Sequence, residues 1–259
     1  MITLYGVGEG FGLPEASPYV MKTEVQLKMA GLGYRKVRAR PQEGPKGQLP
    51  FIDDGELRIG DSTFIRGYLE RTYGLDFDEG LSPRQRAEAW ALERMLENQL
   101  AWFGVHDRWL IPANFARGPA HFFDAAPEPL RAQLQHEALE RVRAVVHGVG
   151  VTRHSEPEML ALAGRSLAAL QVVLDDQAYL FGARPSGVDA TALAVLALVS
   201  SPYFDSPLQR QVRRFDRLAA YRDRMMALFF PDFPWLDQPC PRPFDAAGAD
   251  INQSVGITP

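Results

Sequence analysis

Up to about residue 76 the apolar positions fall in short runs broken by glycine and proline, and from residue 83 to residue 230 they recur at intervals of three and four. The first pattern predicts short strands interleaved with helices, the second an almost wholly helical segment. Ile2 to Tyr5 form a first strand, and Gly6, Gly8, Gly10 and Gly12 turn the chain behind it into a loop. Ser17-Pro18 opens a helix, because serine is a favoured cap and proline lacks only an N–H that would have no partner there. Met21, Val25 and Met29 carry the helical spacing, with Leu27 beside them, until Gly31 or Gly33 stops it. A second strand follows at Tyr34 to Arg38, then a connection rich in proline and glycine over residues 41–47. Leu49-Pro50-Phe51-Ile52 and Leu57-Arg58-Ile59 flank Asp53-Asp54-Gly55, a hairpin signal. Asp61-Ser62 begins a helix that runs to about Tyr73, where Gly74 ends it.

The resulting order of strand, helix, strand, loop, strand, strand, helix is the thioredoxin-like arrangement, placed at residues 1–76. After a linker near residues 76–82, an all-helical domain follows at 83–230 with no internal repeat. Its first helix spans 83–110, long or kinked, with Trp90, Leu96, Leu100 and Phe103 among its apolar members. Residues 117–128 read as a loop around Gly118-Pro119 and Pro127, and further helices are expected at 130–146, 157–174, 186–200 and 208–229. Five prolines between Pro231 and Pro243 mark residues 231–259 as an extended tail.

Composition narrows the function. A formal net charge of -4 offers no broad attraction to phosphate backbones or anionic lipid, which argues against nucleic acid as a partner. The single cysteine, Cys240, excludes an intrachain disulfide framework and any CxxC pair. That, with an N-terminus lacking a basic flank followed by an apolar stretch, points to a reducing, cytoplasmic location. The most strongly apolar segment, residues 190–199, is about half the ~20 residues a membrane span requires and reads as a buried core helix. His106, His121, His136, His147 and His154 show no metal-ligand spacing, so no metal is expected.

Three motifs bear on chemistry. Gly47-Gln48-Leu49-Pro50-Phe51 puts a proline at the start of a strand. Gly60-Asp61-Ser62 opens a helix eleven residues after Pro50, where Asp61-Ser62 is either a plain cap or a carboxylate site. In the second case the Ser62 N–H and hydroxyl donate to the anion and Asp61 accepts from an ammonium. Ser186 and Asp189 have the spacing of a capping box ahead of the most apolar helix, a structural role.

Taken together, these segments resemble the glutathione transferase superfamily, in the branch that includes metaxins and the failed-axon-connections family. Gly12-Leu13-Pro14 leading to Ser17-Pro18-Tyr19, Met29-Ala30-Gly31, residues 45–52 and Asp61-Ser62-Thr63-Phe64-Ile65 carry the resemblance in the first half. Arg153-His154-Ser155, Tyr179-Leu180-Phe181-Gly182, the Ser186 to Asp189 box and Phe204-Asp205-Ser206-Pro207 carry it in the second. The resemblance implies a thioredoxin-like domain followed by an all-helical one, a homodimer, and a role in detoxification. It also implies a glutathione site at Ser17, Gln48, Leu49, Pro50, Asp61 and Ser62. A cis Pro50 would turn the Leu49 N–H and C=O toward the cysteinyl part of glutathione.

A transferase must also ionise the glutathione thiol, which resembles a free cysteine of pKa ~8.5. Lowering that by ~2 units asks for about 2.7 kcal/mol, within reach of one hydrogen bond to the charged sulfur (~1.5–3 kcal/mol) and a helix N-terminus (~0.3–1 kcal/mol). Ser17 combines a hydroxyl with a helix start, although the same geometry serves a plain cap, and Tyr5 at the end of the first strand matches the tyrosine of another class of these enzymes. Trp102, Phe103, His106 and Trp109 form an aromatic stripe that either lines a second-substrate pocket between the domains or belongs to the core. Two functions follow: conjugation of glutathione to, or its removal from, a small hydrophobic electrophile, or a non-catalytic binding or interaction module of the same fold.

Overall fold

The computed structural model describes residues 1–235. The segment from residue 236 onward, with Cys240 and most of the expected tail, lies outside the described residues. Strand β1 (Ile2–Gly6) pairs in parallel with β2 (Tyr34–Arg38) and antiparallel with β3 (Phe51–Asp54), which pairs antiparallel with β4 (Leu57–Gly60). The sheet order is β2-β1-β3-β4. Because side chains alternate across a strand, Ile2, Leu4 and Ile52 face one side and Thr3, Tyr5, Phe51 and Asp53 the other. On the first side they meet Val20 and Leu27 of α1 (Pro18–Met29) and Ile65 and Leu69 of α2 (Ser62–Tyr73) in one buried cluster. Gly74 closes α2 in the left-handed conformation that glycine adopts without steric cost.

The rest is helical. Helix α3 (Pro83–Met95) runs through a π-helical turn at Leu96–Leu100 into α4 (Ala101–Leu110), so the long first helix is interrupted at its middle. It is followed by α5 (Pro112–Arg117), α6 (Leu130–Gly148), α7 (Glu156–Leu174) and α8 (Gly187–Ser200). Every residue of α8 is buried, and it packs on α1 and α3 as well as on α4, so the helical domain's central helix is also the floor of the thioredoxin-like one. Its capping box forms, with the Asp189 carboxylate accepting from the Ser186 N–H at 2.7 Å and hydroxyl at 2.8 Å, and also from the Leu180 N–H and the Tyr221 hydroxyl.

The structure corrects the sequence reading in three places. The helix expected over 208–229 is two, α9 (Pro207–Val212) and α10 (Asp216–Phe229), and the break lets Phe215 turn onto the core. Pro112 starts a helix of its own, and Pro119–Phe123 form a 3-10 turn within the expected loop. Finally, α7 is long and apolar enough to cross a membrane by length and composition alone, yet in this fold it packs against α9 and α10 with Met159, Ala163, Leu167, Leu170 and Leu174 buried.

A buried ion network joins the domains. Lys22 of α1, only 1% exposed, lies 2.6 Å from Glu97 and 3.5 Å from Glu93. Arg66 of α2 reaches Glu93 at 2.9 Å and Asp78 at 2.6 Å, while the Tyr19 hydroxyl donates to the Glu97 carbonyl at 3.1 Å. Such groups are not left alone inside a protein, because an unpaired buried charge costs several kcal/mol.

Candidate functional site

The Leu49-Pro50 peptide is cis. The Pro50 carbonyl accepts the Asp61 N–H at 3.0 Å, which joins the proline loop to the start of α2. No hydrogen bond among the described residues takes the Leu49 N–H or C=O. Asp61 has φ 81°, a conformation that costs a non-glycine residue about 1–3 kcal/mol and is concentrated at functional sites. Its carboxylate caps α2 through the Thr63 N–H at 2.9 Å and accepts from Gln48 Nε2 at 3.3 Å. Ser62, the first residue of α2, is buried at the helix N-terminus, where N–H groups and the helix dipole favour an anion. Lys46, which no sequence motif marks as a ligand-binding residue, stands 4.0 Å from Asp61 and 3.7 Å over the Phe64 ring, adding a cation to the same corner.

Ser17 caps α1 in an extended conformation, and its hydroxyl accepts from the Val20 N–H at a long 3.5 Å. Proline occupies the next position and no acidic residue lies in the first turn, so no side chain of the helix's own first turn offsets its positive end. The loop ahead of Ser17 is tied down by Glu15, whose side chain is fully buried and accepts N–H groups from Val7 (3.2 Å), Gly8 (3.0 Å) and Ser17 (3.1 Å), with Lys36 at 3.4 Å. Burial pushes the Glu15 carboxyl up, and Lys36 and the N–H groups work against that. Helix α1, which Ser17 opens, packs against α2, which Asp61 opens, on one face of the sheet.

Tyr5 does not join them. It sits on the sheet face opposite α1, its ring stacked on Phe51 with centroids 4.2 Å apart. Its hydroxyl donates to Asp53 at 2.8 Å, and that bond raises its pKa, the reverse of what a thiol activator needs. Side chains alternate along β1, so Tyr5 faces away from the side on which Ile2 and Leu4 meet α1.

The aromatic stripe is also divided. Phe103 is buried in the helical domain and borders a small crevice with Met159, Ala163 and Pro207, facing α7 and α9 instead of the sheet. Trp109 packs at 6.1 Å against both Phe115 and Phe122. His106 Nδ1 lies 2.9 Å from Asp107, and Trp102 packs onto the core cluster. The four residues therefore do not line one pocket. The aromatic side chain at the domain junction is Phe11, held at φ 58° and buried among Phe122, Tyr203 and Phe204, with its carbonyl accepting from Ser201 at 2.7 Å. Arg108 lies over the Phe11 ring at 4.6 Å and donates to the Ala16 carbonyl at 2.6 Å. Neither Phe11 nor Arg108 stands out in the sequence, since a phenylalanine among glycines and an arginine within a helix are ordinary. Among the described residues no three His, Cys, Asp or Glu side chains gather as a metal site.

A cis-proline loop joined to a helix N-terminus on a thioredoxin-like sheet, with an all-helical domain packed against it, defines the glutathione transferase fold. Family models agree: that of the glutathione S-transferase N-terminal domain matches residues 18–114 and that of the C-terminal domain residues 163–225. The chain belongs to this superfamily and is related both to glutathione transferases and to metaxins. It is 29% identical to the isoprene-epoxide–glutathione S-transferase of Rhodococcus sp. (strain AD45), over 81% of this chain and 89% of that one. It is 29% identical to Failed axon connections of Drosophila melanogaster, over 90% of this chain but only 59% of that protein's length. With metaxin-1 of Sus scrofa it shares 28% identity over 90% and 76% of the two chains. A glutathione S-transferase of Ceriporiopsis subvermispora, solved in complex with glutathione, has the same fold with TM-score 0.60 at 18% identity, covering 92% of this chain and 98% of that one.

Proposed function

We propose that this protein binds glutathione and transfers it, as the thiolate, to a small hydrophobic electrophile. The observation that carries this reading is the cis Leu49-Pro50 bond joined to Asp61 through the Pro50 carbonyl. The Leu49 backbone pair receives the cysteinyl unit, and Ser62 at the α2 N-terminus receives the γ-glutamyl carboxylate. Asp61, steadied by Gln48, takes the γ-glutamyl ammonium. Ser17 donates to the sulfur, and the α1 N-terminus holds its negative charge. An epoxide, the substrate class in the name of the Rhodococcus relative, fits this chemistry. The sulfur forms a bond to one ring carbon, the carbon–oxygen bond breaks, and the alkoxide takes a proton from solvent.

In this reading the protein is a cytoplasmic homodimer with a detoxifying role. Leu57, Phe64 and Trp90, each more than half exposed on β4, α2 and α3, supply apolar surface for a second copy. A second reading, in which glutathione is bound without turnover, is favoured by the metaxin relatives. Ultraviolet absorbance of bound thiolate against pH separates the two. Transfer by this mechanism requires that Ser17→Ala raise the apparent thiol pKa, and an unchanged value removes Ser17 from the chemistry.

A further inference from the structure

The peptide unit that joins Ala16 to Ser17 is gripped from both sides. Its carbonyl accepts from Arg108 Nη1 at 2.6 Å, and its N–H donates to Glu15 Oε1 at 3.1 Å. The unit is trans, so these two groups point in opposite directions within one plane, and that plane also contains the Cα atom of Ser17. Glu15, Ala16 and Arg108 are all buried, so turning the plane would leave a buried polar group without a partner. The Glu15 charge favours the ionised form of Arg108, and Lys36, 3.4 Å from Glu15, favours that of Glu15.

Half of the grip comes from the helical domain. Arg108 lies on α4, 92 positions after Ala16, with the Phe11 and Phe204 rings 4.6 and 5.3 Å from its guanidinium. Ser201, just past α8, ties the same loop a second time by donating to the Phe11 carbonyl at 2.7 Å. Within the loop, the Ala16 N–H donates to the Gly8 carbonyl at 2.9 Å. The segment that ends at Ser17 is therefore seated on the helical domain at two points. The Ser17 oxygen accepts the Val20 N–H, which leaves its O–H to donate, and the strength of that donation depends steeply on where it is aimed.

We infer that Arg108 is a positioning residue for the thiol chemistry: by holding the Ala16 carbonyl it fixes the peptide that carries Ser17, and so aims the Ser17 hydroxyl at the glutathione sulfur. This rests on the reading of Ser17 as the donor to that sulfur. Arg108 acts through Ser17 and not by contact with the reacting atoms. Stabilisation of the thiolate then depends on the helical domain being seated against the loop ahead of α1.

Two measurements on the full chain test this. The first is backbone amide hydrogen exchange without glutathione. In Arg108→Met, which keeps much of the bulk and removes the donor, the Ser17 N–H should exchange at least about tenfold faster while the amides of β3 keep their rates. An unchanged Ser17 rate, or an equal rise in β3, overturns the grip whether or not glutathione binds. The second is ultraviolet absorbance of bound glutathione thiolate against pH. Arg108→Met should raise the apparent thiol pKa by about one unit, a tenfold loss of thiolate below the pKa. Arg108→Lys, which keeps the charge and one donor, should restore most of it. Added to Ser17→Ala, Arg108→Met should shift the value by less than about 0.3 unit, because its effect passes through Ser17. No shift in the single variant, or the same shift with and without Ser17, overturns the inference. Arg108→Leu carries the same expectations wherever Arg108→Met fails to fold. A wild-type chain that shows no bound thiolate overturns the reading of Ser17 and the inference with it, and the exchange rates tell that outcome apart from an absent grip.

Discussion

The Ser17 N–H donates to Glu15 Oε1 at 3.1 Å, so the residue that opens α1 is held by a buried carboxylate two positions before it. The same carboxylate collects N–H groups from Val7 and Gly8, which fixes the loop from β1 to α1 as a unit. Glu15→Gln keeps the shape but turns an amide NH₂ toward N–H donors. The variant should lose about 2 kcal/mol of stability, the scale for leaving buried donors unpaired. Urea denaturation measures it, and the position of Ser17 should loosen with it.

Lys22 makes the corresponding junction between domains. Replacing it with methionine leaves Glu93 and Glu97, both nearly inaccessible, without their shared cation. Lys22→Met is expected to cost about 3–5 kcal/mol, the range for breaking a buried pair from one side. A loss below about 1 kcal/mol, the level of an exposed pair, would show that Arg66 on Glu93 and Arg94, 2.7 Å from Glu97, suffice for the two carboxylates.

Packing around Phe11 leaves no room for a methyl group at Gly118. A Cβ there would lie 2.8 Å from the Phe204 ring and 3.0 Å from that of Phe11. Gly118→Ala should therefore cost about 1–3 kcal/mol by overpacking. Thermal unfolding provides the check, and an unchanged midpoint would mean the rings move aside freely.

Acid sensitivity has a sign that can be worked out at Asp53. The Arg58 hydrogen bonds, with a smaller contribution from Tyr5, hold the Asp53 carboxyl below its ordinary value. A carboxyl depressed on folding adds stability that is present above its unfolded pKa and is lost as the pH falls through the folded one. Asp53→Asn should accordingly flatten the fall in stability below about pH 4, the unfolded aspartate value. Tyr5→Phe, which removes one donor to the same carboxylate, should leave the apparent thiol pKa of bound glutathione unchanged.

Much of this was legible in the chain. Asp61-Ser62 and Gly74 state both ends of α2, and Gly47 to Phe51 locate the proline loop, because caps and prolines act locally. The charged residues that organise the site were not legible for the opposite reason. Lys22, Glu15 and Arg108 carry charges that nothing beside them in the chain marks as buried, and the contacts that enclose them are distant ones, Glu93 and Glu97 for Lys22, Lys36 for Glu15, and Ala16, Phe11 and Phe204 for Arg108. Tyr5 lies on the sheet face away from α1 with its hydroxyl on Asp53, a partner 48 positions away that the residues beside Tyr5 do not announce. The Trp102 to Trp109 stripe lies wholly within α4, and its members part because they meet different neighbours, Phe103 facing α7 and α9 and Trp109 packing on Phe115 and Phe122, which the periodic pattern does not record.

Isothermal titration of the wild-type chain with reduced glutathione tests the central claim most directly. The account predicts binding with a dissociation constant at or below about 1 mM, weakened at least about tenfold in Ser62→Ala combined with Asp61→Asn. Absence of heat or saturation at millimolar glutathione, or equal binding by the double variant, would contradict a glutathione site built on the cis-proline loop and the start of α2.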